Sequence, residues 1–191
     1  MYIRHRMSEE FPIDKGHLLV SDPWLKDPHF HRTVILLTEH EAECSIGFIQ
    51  NKPLTLTVGD VLEDFPSPEL PLFLGGPVET DTLHYLHLFG EKVGGQPLQG
   101  GLSWGGQFEA IRLLATNGEL HPLNIRFFIG YSGWGPHQLQ SEFSAGAWIG
   151  GPEFDLKNWQ IPPADLWRTT LRNMGADFIS IANSPEDPSL N

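Results

Sequence analysis

The feature that most constrains this chain is a strand signal that runs directly into a glycine-rich corner. Ile125-Arg126-Phe127-Phe128-Ile129 is β-branched and aromatic. It is followed by Gly130-Tyr131-Ser132-Gly133-Trp134-Gly135-Pro136-His137-Gln138-Leu139-Gln140-Ser141-Glu142-Phe143. Glycine tolerates backbone conformations that other residues resist, and proline is tolerated at the first turn of a helix. The stretch therefore predicts a strand, a tight corner and a short helix starting at Pro136. Leu139 and Phe143 are four apart and share one face of that helix. A tightly packed corner is the first reading, and a binding site built on it is the second.

Other strands follow the same logic. Gly16–Ser21, Thr33–Thr38 and Cys44–Gln50 are apolar runs bounded by turn residues, and the last two read as a hairpin. Leu72–Leu74 is a short strand stopped by Gly75-Gly76-Pro77, and Leu83–Phe89 is another. Thr57 is placed to cap a short helix with Asp60 as its capping-box partner. Phe108, Ile111, Leu114 and Ala115 mark an amphipathic helix, and Trp167, Leu171 and Met174 mark a second one opened by Pro162-Pro163. Ala147-Trp148-Ile149 returns to the sheet. Phe178–Ile181 reads as a final short strand. With 20 glycines and 16 prolines among 191 residues, many short elements are expected, not a helical bundle.

Length fits one domain at residues 15–191, preceded by a flexible arm at 1–14 and ending in a polar tail. A formal charge of -12, with no local basic patch, argues against direct contact with nucleic acid. No stretch has the length of a signal peptide or a spanning helix, so a cytoplasmic location without membrane association is expected. Cys44 is the only cysteine, which excludes an internal disulfide and a multi-cysteine zinc site.

The chemistry-bearing residues form no complete catalytic set. Neither His29/His31 nor His84/His87 has metal-ligand spacing with a further carboxylate, so no metal is expected. Cys44 opens an apolar strand beside His40, and buried thiols are inert. Gly130-Tyr131-Ser132 begins like a nucleophile elbow, but Trp134 stands at the fifth position and no histidine follows His137. The glycines lack dinucleotide or phosphate-loop spacing, so no cofactor is expected. Arg32 and Arg126 lie beside or within apolar strands. Such arginines need carboxylate or carbonyl partners, and ion pairs to Glu39, Glu79 or Glu142 are the expectation. Trp104, Trp134 and Trp148 read as core aromatics or as a ligand wall.

These residues occur in ordered blocks. They are Asp22-Pro23, Asp27-Pro28, Phe30-His31-Arg32-Thr33-Val34, Glu39-His40, Gly47, Asn51-Lys52-Pro53, Gly75-Gly76-Pro77-Val78, Gly130 to Leu139 with Glu142, then Trp148 and Trp167. In these blocks the chain resembles the YqgE/AlgH family of bacterial proteins, from about Gly16 to about Ile181. The resemblance implies an α/β fold whose mixed sheet curls into a pseudo-barrel with outer helices. It brings no established catalytic residues. Some members are called transcriptional regulators, without a recognised DNA-binding motif. The family usually has alanine at Ser132, often glycine at His137 and often glutamate at Gln140. These departures undercut Ser132 as a nucleophile and any site that needs a fixed charge at position 140.

The resulting expectation is a non-enzymatic protein that binds a partner protein or small ligand, with an indirect regulatory role. Its candidate polar cluster is Arg32, Glu39, His40, Asn51, Trp134 and Glu142. The alternative is an enzyme whose pocket is lined by Arg32, His40 and Glu142.

Overall fold

A computed structural model describes residues 11–185. The expected arm and tail lie outside this range at residues 1–10 and 186–191. Of the remaining arm, Phe11 meets Phe178 edge-on with ring centroids 5.8 Å apart, and Ile13 packs against a buried cluster.

The fold is mixed α/β. Among the described residues, ten strands form a curled, half-barrel sheet with helices packed against it. The strands are β1 (His17–Ser21), β2 (Val34–His40), β3 (Ser45–Ile49), β4 (Pro53–Thr57), β5 (Pro71–Leu74), β6 (Val78–His87), β7 (Gln96–Pro97), β8 (Ser103–Trp104), β9 (Ile125–Trp134) and β10 (Trp148–Glu153). The helices are α1 (Phe108–Thr116), α2 (Gln138–Ser144), α3 (Pro163–Asn173) and α4 (Ala176–Ala182). The main path runs β10-β1-β2-β3-β9-β6-β8-β7. Strand β5 joins β9 in parallel, and β4 pairs with β5.

Strand β9 is the hub. It pairs with β3 near its C-terminal end, with β5 near its start, and with β6 along most of its length. Residues Ile125 and Phe127 enter a cluster closed by Ile111, Leu114 and Ala115 of α1. Phe128 enters the opposite cluster, closed by Trp167 and Leu171 of α3 and Phe178 and Ala182 of α4. A third cluster joins Leu19, Ile35 and Leu37 to Trp134, Leu139 and Trp148. Burial of these apolar faces supplies the main driving force for folding.

Most expected elements are present, with shifted limits. The expected helix from Pro136 starts at Gln138, and Leu83 lies inside a longer strand that begins at Val78. Thr57 and Asp60 form the anticipated capping box on a short helical turn. One expectation is corrected: Phe178–Ile181 belongs to helix α4. Phe178 and Ala182 lie four apart and are both buried, while Ile179 is exposed, which is the period of a helix face. Strand β4 was not expected. Pro53 occupies its first position, where a missing N–H does not interrupt the ladder.

Candidate functional site

The corner after Ile129 is built by close backbone approach. Gly130 has φ +63°, a left-handed conformation that side chains disfavour. A Cβ there would come within 2.7 Å of the Val78 carbonyl oxygen and 2.8 Å of that of Gly76. At Gly75 a Cβ would meet the Gly130 oxygen at 2.1 Å. Ser132 is fully buried and its hydroxyl donates to the Gly75 carbonyl at 3.0 Å. Two blocks far apart in sequence, Gly75-Gly76-Pro77-Val78 and Gly130-Tyr131-Ser132, are thus one contact. Ser132 holds that contact together, with its hydroxyl committed to the Gly75 carbonyl. The irregularity at Gly130 also changes which face the following residues take. Tyr131 packs against the cluster of Phe128, and Trp134 turns into the third cluster.

Trp134 and Trp148 converge on one carboxylate. Their indole N–H groups donate to Glu142 Oε2 at 3.0 Å and 2.8 Å. Gln138 Nε2 donates to Glu142 Oε1 at 2.9 Å. Phe30 closes the group, with ring centroids 6.3 Å from Trp134 and 5.3 Å from Trp148. Buried indoles need acceptors, and here α2 supplies a shared one. His137 immediately precedes α2 with φ +58°. Glycine adopts that left-handed geometry more readily than histidine does.

A cleft of about 320 Å³ opens beside this corner. It is lined by His40, Glu41, Ala42 and Ser45 from the β2–β3 hairpin, and by Gly135, His137, Leu139 and Gln140 from the start of α2. The two sides meet because Ser45 is opposite both His40 and Trp134 in the sheet. His40 Nδ1 and Ser45 Oγ are 2.8 Å apart. Among the described residues, no hydrogen bond orients the other ring nitrogen of His40, so the pair lacks the third group of a nucleophile–base system. Cys44 donates to Glu39 Oε1 at 3.2 Å, and this bond, with burial and the nearby acidic charges, pushes the thiol pKa up. The thiol therefore stays protonated near neutral pH.

The six expected cluster residues divide between the two ends of β2. Glu39, His40, Trp134 and Glu142 belong to the end just described. Arg32 and Asn51 belong to the other. Asn51 Nδ2 donates to the Arg32 carbonyl at 2.8 Å, and its Oδ1 accepts from the Val34 N–H at 2.9 Å. Arg32 Nη2 donates to the Ser184 carbonyl at 2.8 Å, and the guanidinium lies 4.8 Å from the Trp167 ring centroid. This end ties the loop before β2 to the chain after α4. Of Arg32, His40 and Glu142, only His40 lines the cleft.

Arg126 departs from the expected ion pair. Among the described residues no carboxylate pairs with it. Its Nη1 donates to the Gln50 carbonyl at 2.9 Å, and its guanidinium lies 4.3 Å and 5.0 Å from the ring centroids of Phe73 and Trp159. Trp104 packs against Phe48 and His84, apart from the other two tryptophans of the expected wall. Sequence reasoning missed Glu41, Ser45 and Gln140 as cleft residues and Gln50 as the partner of Arg126. No local signal marks them, because their neighbours are set by strand register.

Residues 18–179, from β1 into α4, match the family model described as AlgH-like. The chain belongs to the AlgH-like family. A UPF0301 protein of Chlorobaculum parvum is 40% identical over 190 residues, covering 97% of this chain and all of that one, 100%. Another from Cytophaga hutchinsonii is 40% identical over 94% of this chain and 100% of its own length. The solution structure of the AlgH protein from Pseudomonas aeruginosa aligns with a TM-score of 0.69 at 26% identity, covering 90% of this chain and 94% of that one. A crystal structure from Corynebacterium diphtheriae aligns with a TM-score of 0.74 at 22% identity, over 90% and 93% of the two chains, and shows the same fold. Family membership agrees with the sequence blocks. Among the described residues, no helix is long and apolar enough to cross a membrane, and no three metal-binding side chains gather.

Proposed function

We propose that this AlgH-like chain is a non-enzymatic, cytoplasmic binding protein that takes a small polar ligand in the cleft between the β2–β3 hairpin and α2. The observation that carries this reading is the cleft itself, about 320 Å³ and lined by convergent polar side chains. His40, Ser45, His137 and Gln140 offer hydrogen-bonding groups, and Glu41 offers a negative charge. That lining suits a ligand with hydroxyl or amine groups. The Trp134–Glu142–Trp148 contacts support the walls, so that little ordering is left to binding.

The test is a panel of small amines and polyols added to isotopically labelled protein. A binder gives saturable NMR shifts at Gly135, His137 and Gln140. Ala42→Trp places a ring at an exposed cleft position, and this variant loses the response while keeping its fold. A panel that moves none of these signals, or moves them equally in Ala42→Trp, overturns the reading. Covalent labelling of Ser45 by a fluorophosphonate would overturn its non-enzymatic part.

A further inference from the structure

Arg126 is 7% exposed, in a chain with 24 acidic and 12 basic residues. Its only hydrogen bond among the described residues goes from Nη1 to the Gln50 carbonyl. The Gln50 side chain is engaged elsewhere: its Nε2 donates to the Phe48 carbonyl at 2.8 Å, and its Oε1 accepts from the Trp159 indole at 3.1 Å. The rings of Phe73 and Trp159 lie against the guanidinium. Cation–π contact offsets part of the cost of burial but supplies no counter-charge. Burial lowers the Arg126 pKa to about 9, so the group remains a cation at neutral pH.

The unused donors lie along one edge. With Nη1 committed, Nε–H and the Nη2–H group remain, in the fork that matches two oxygens of one oxoanion. No Arg126 nitrogen is both enclosed and unpartnered, so the residual exposure reaches this edge. We propose that Arg126 anchors an oxoanion site, in which a carboxylate or phosphate group of a small ligand docks edge-on at Nε and Nη2 beside Phe73 and Trp159. The site is separate from the cleft. Arg126 is at the start of β9, and Gly135 follows the other end of that strand. Either site can therefore fail without the other.

The experiment titrates the full chain with sodium phosphate and with sodium acetate, at constant ionic strength held with chloride. The Arg126 Nε–H and Trp159 indole N–H resonances report. Saturable movement of both supports the site, and the probe that produces it identifies a phosphate or a carboxylate. Arg126→Lys keeps charge but loses the fork, and weakens binding about tenfold or more. Arg126→Met abolishes the Trp159 response. The proposal is overturned if neither probe gives a saturable shift, or if the Trp159 response survives in Arg126→Met. Should Arg126→Met not fold, the wild-type Nε–H response and Arg126→Lys decide the matter.

Discussion

At the scale of single residues, Glu142 shows how one side chain sets a corner. It accepts from the indoles of Trp134 and Trp148, which are both buried. Removing the acceptor leaves both donors unsatisfied, at about 1–3 kcal/mol each before relaxation. Urea denaturation is expected to show Glu142→Ala destabilised by about 2–4 kcal/mol, and Glu142→Gln by less, because an amide oxygen still accepts. Equal stability of Glu142→Ala and wild type would remove the carboxylate from this role. His87 gives a second prediction. It is fully buried, its Nδ1 accepts from the Phe89 N–H at 3.2 Å, and its Nε2 then donates to the Gly105 carbonyl at 2.9 Å. Burial lowers its pKa below the ordinary 6.5. The unfolded imidazole takes up a proton below about pH 6.5 while the folded one resists it, so the unfolded state binds more protons and stability falls as pH drops through this window. His84 shifts in the same direction for the same reason. Stability measured from pH 7.5 to 5.5 is expected to decline more steeply in wild type than in His87→Gln.

The scale of elements shows why some of the fold was legible in the sequence. Runs such as the apolar Val34–Leu37 and the largely apolar Ile125–Phe128, interrupted by Arg126, are buried strands, and a run bounded by turn residues announces that directly. Phe178–Ile181 reads as a strand from sequence because four residues with β-branched members fit either period. Only packing of Phe178 and Ala182 against α3 decides for the helix. The glycine blocks were visible, yet their mutual contact was not, since it joins Gly75-Gly76 to Gly130 across the sheet. That contact predicts an asymmetry between glycines. Gly130 and Gly118 both have positive φ, but a Cβ at Gly118 meets nothing within 4 Å. Gly118→Ala carries the left-handed cost alone, about 1–2 kcal/mol. Gly130→Ala adds a clash with backbone carbonyls and is expected to cost about 3 kcal/mol or more in denaturation. Equal losses for the pair would contradict the close approach.

At the scale of the whole molecule, the six candidate residues do not share one place, and of them only His40 lines the cleft. Arg32 lies before one end of β2 and His40 is its last residue, and the six rises from Val34 to His40 span roughly 20 Å at about 3.3 Å per residue. Their separation could be read from sequence once β2 was assigned. That His40 and His137 line one cleft could not, because it depends on β3 lying between β2 and β9. The AlgH-like fold thus carries polar groups at both ends of one strand. One end fastens the loop before β2 to the chain after α4, and the other frames a cleft. The most direct test of the central claim is a crystal structure with the tightest binder from the amine and polyol panel, soaked at saturating concentration. The account predicts ligand density in the cleft, in hydrogen-bond contact with at least one of His40, Glu41, Ser45, His137 and Gln140. Density at another surface, with the cleft filled only by solvent, would contradict it.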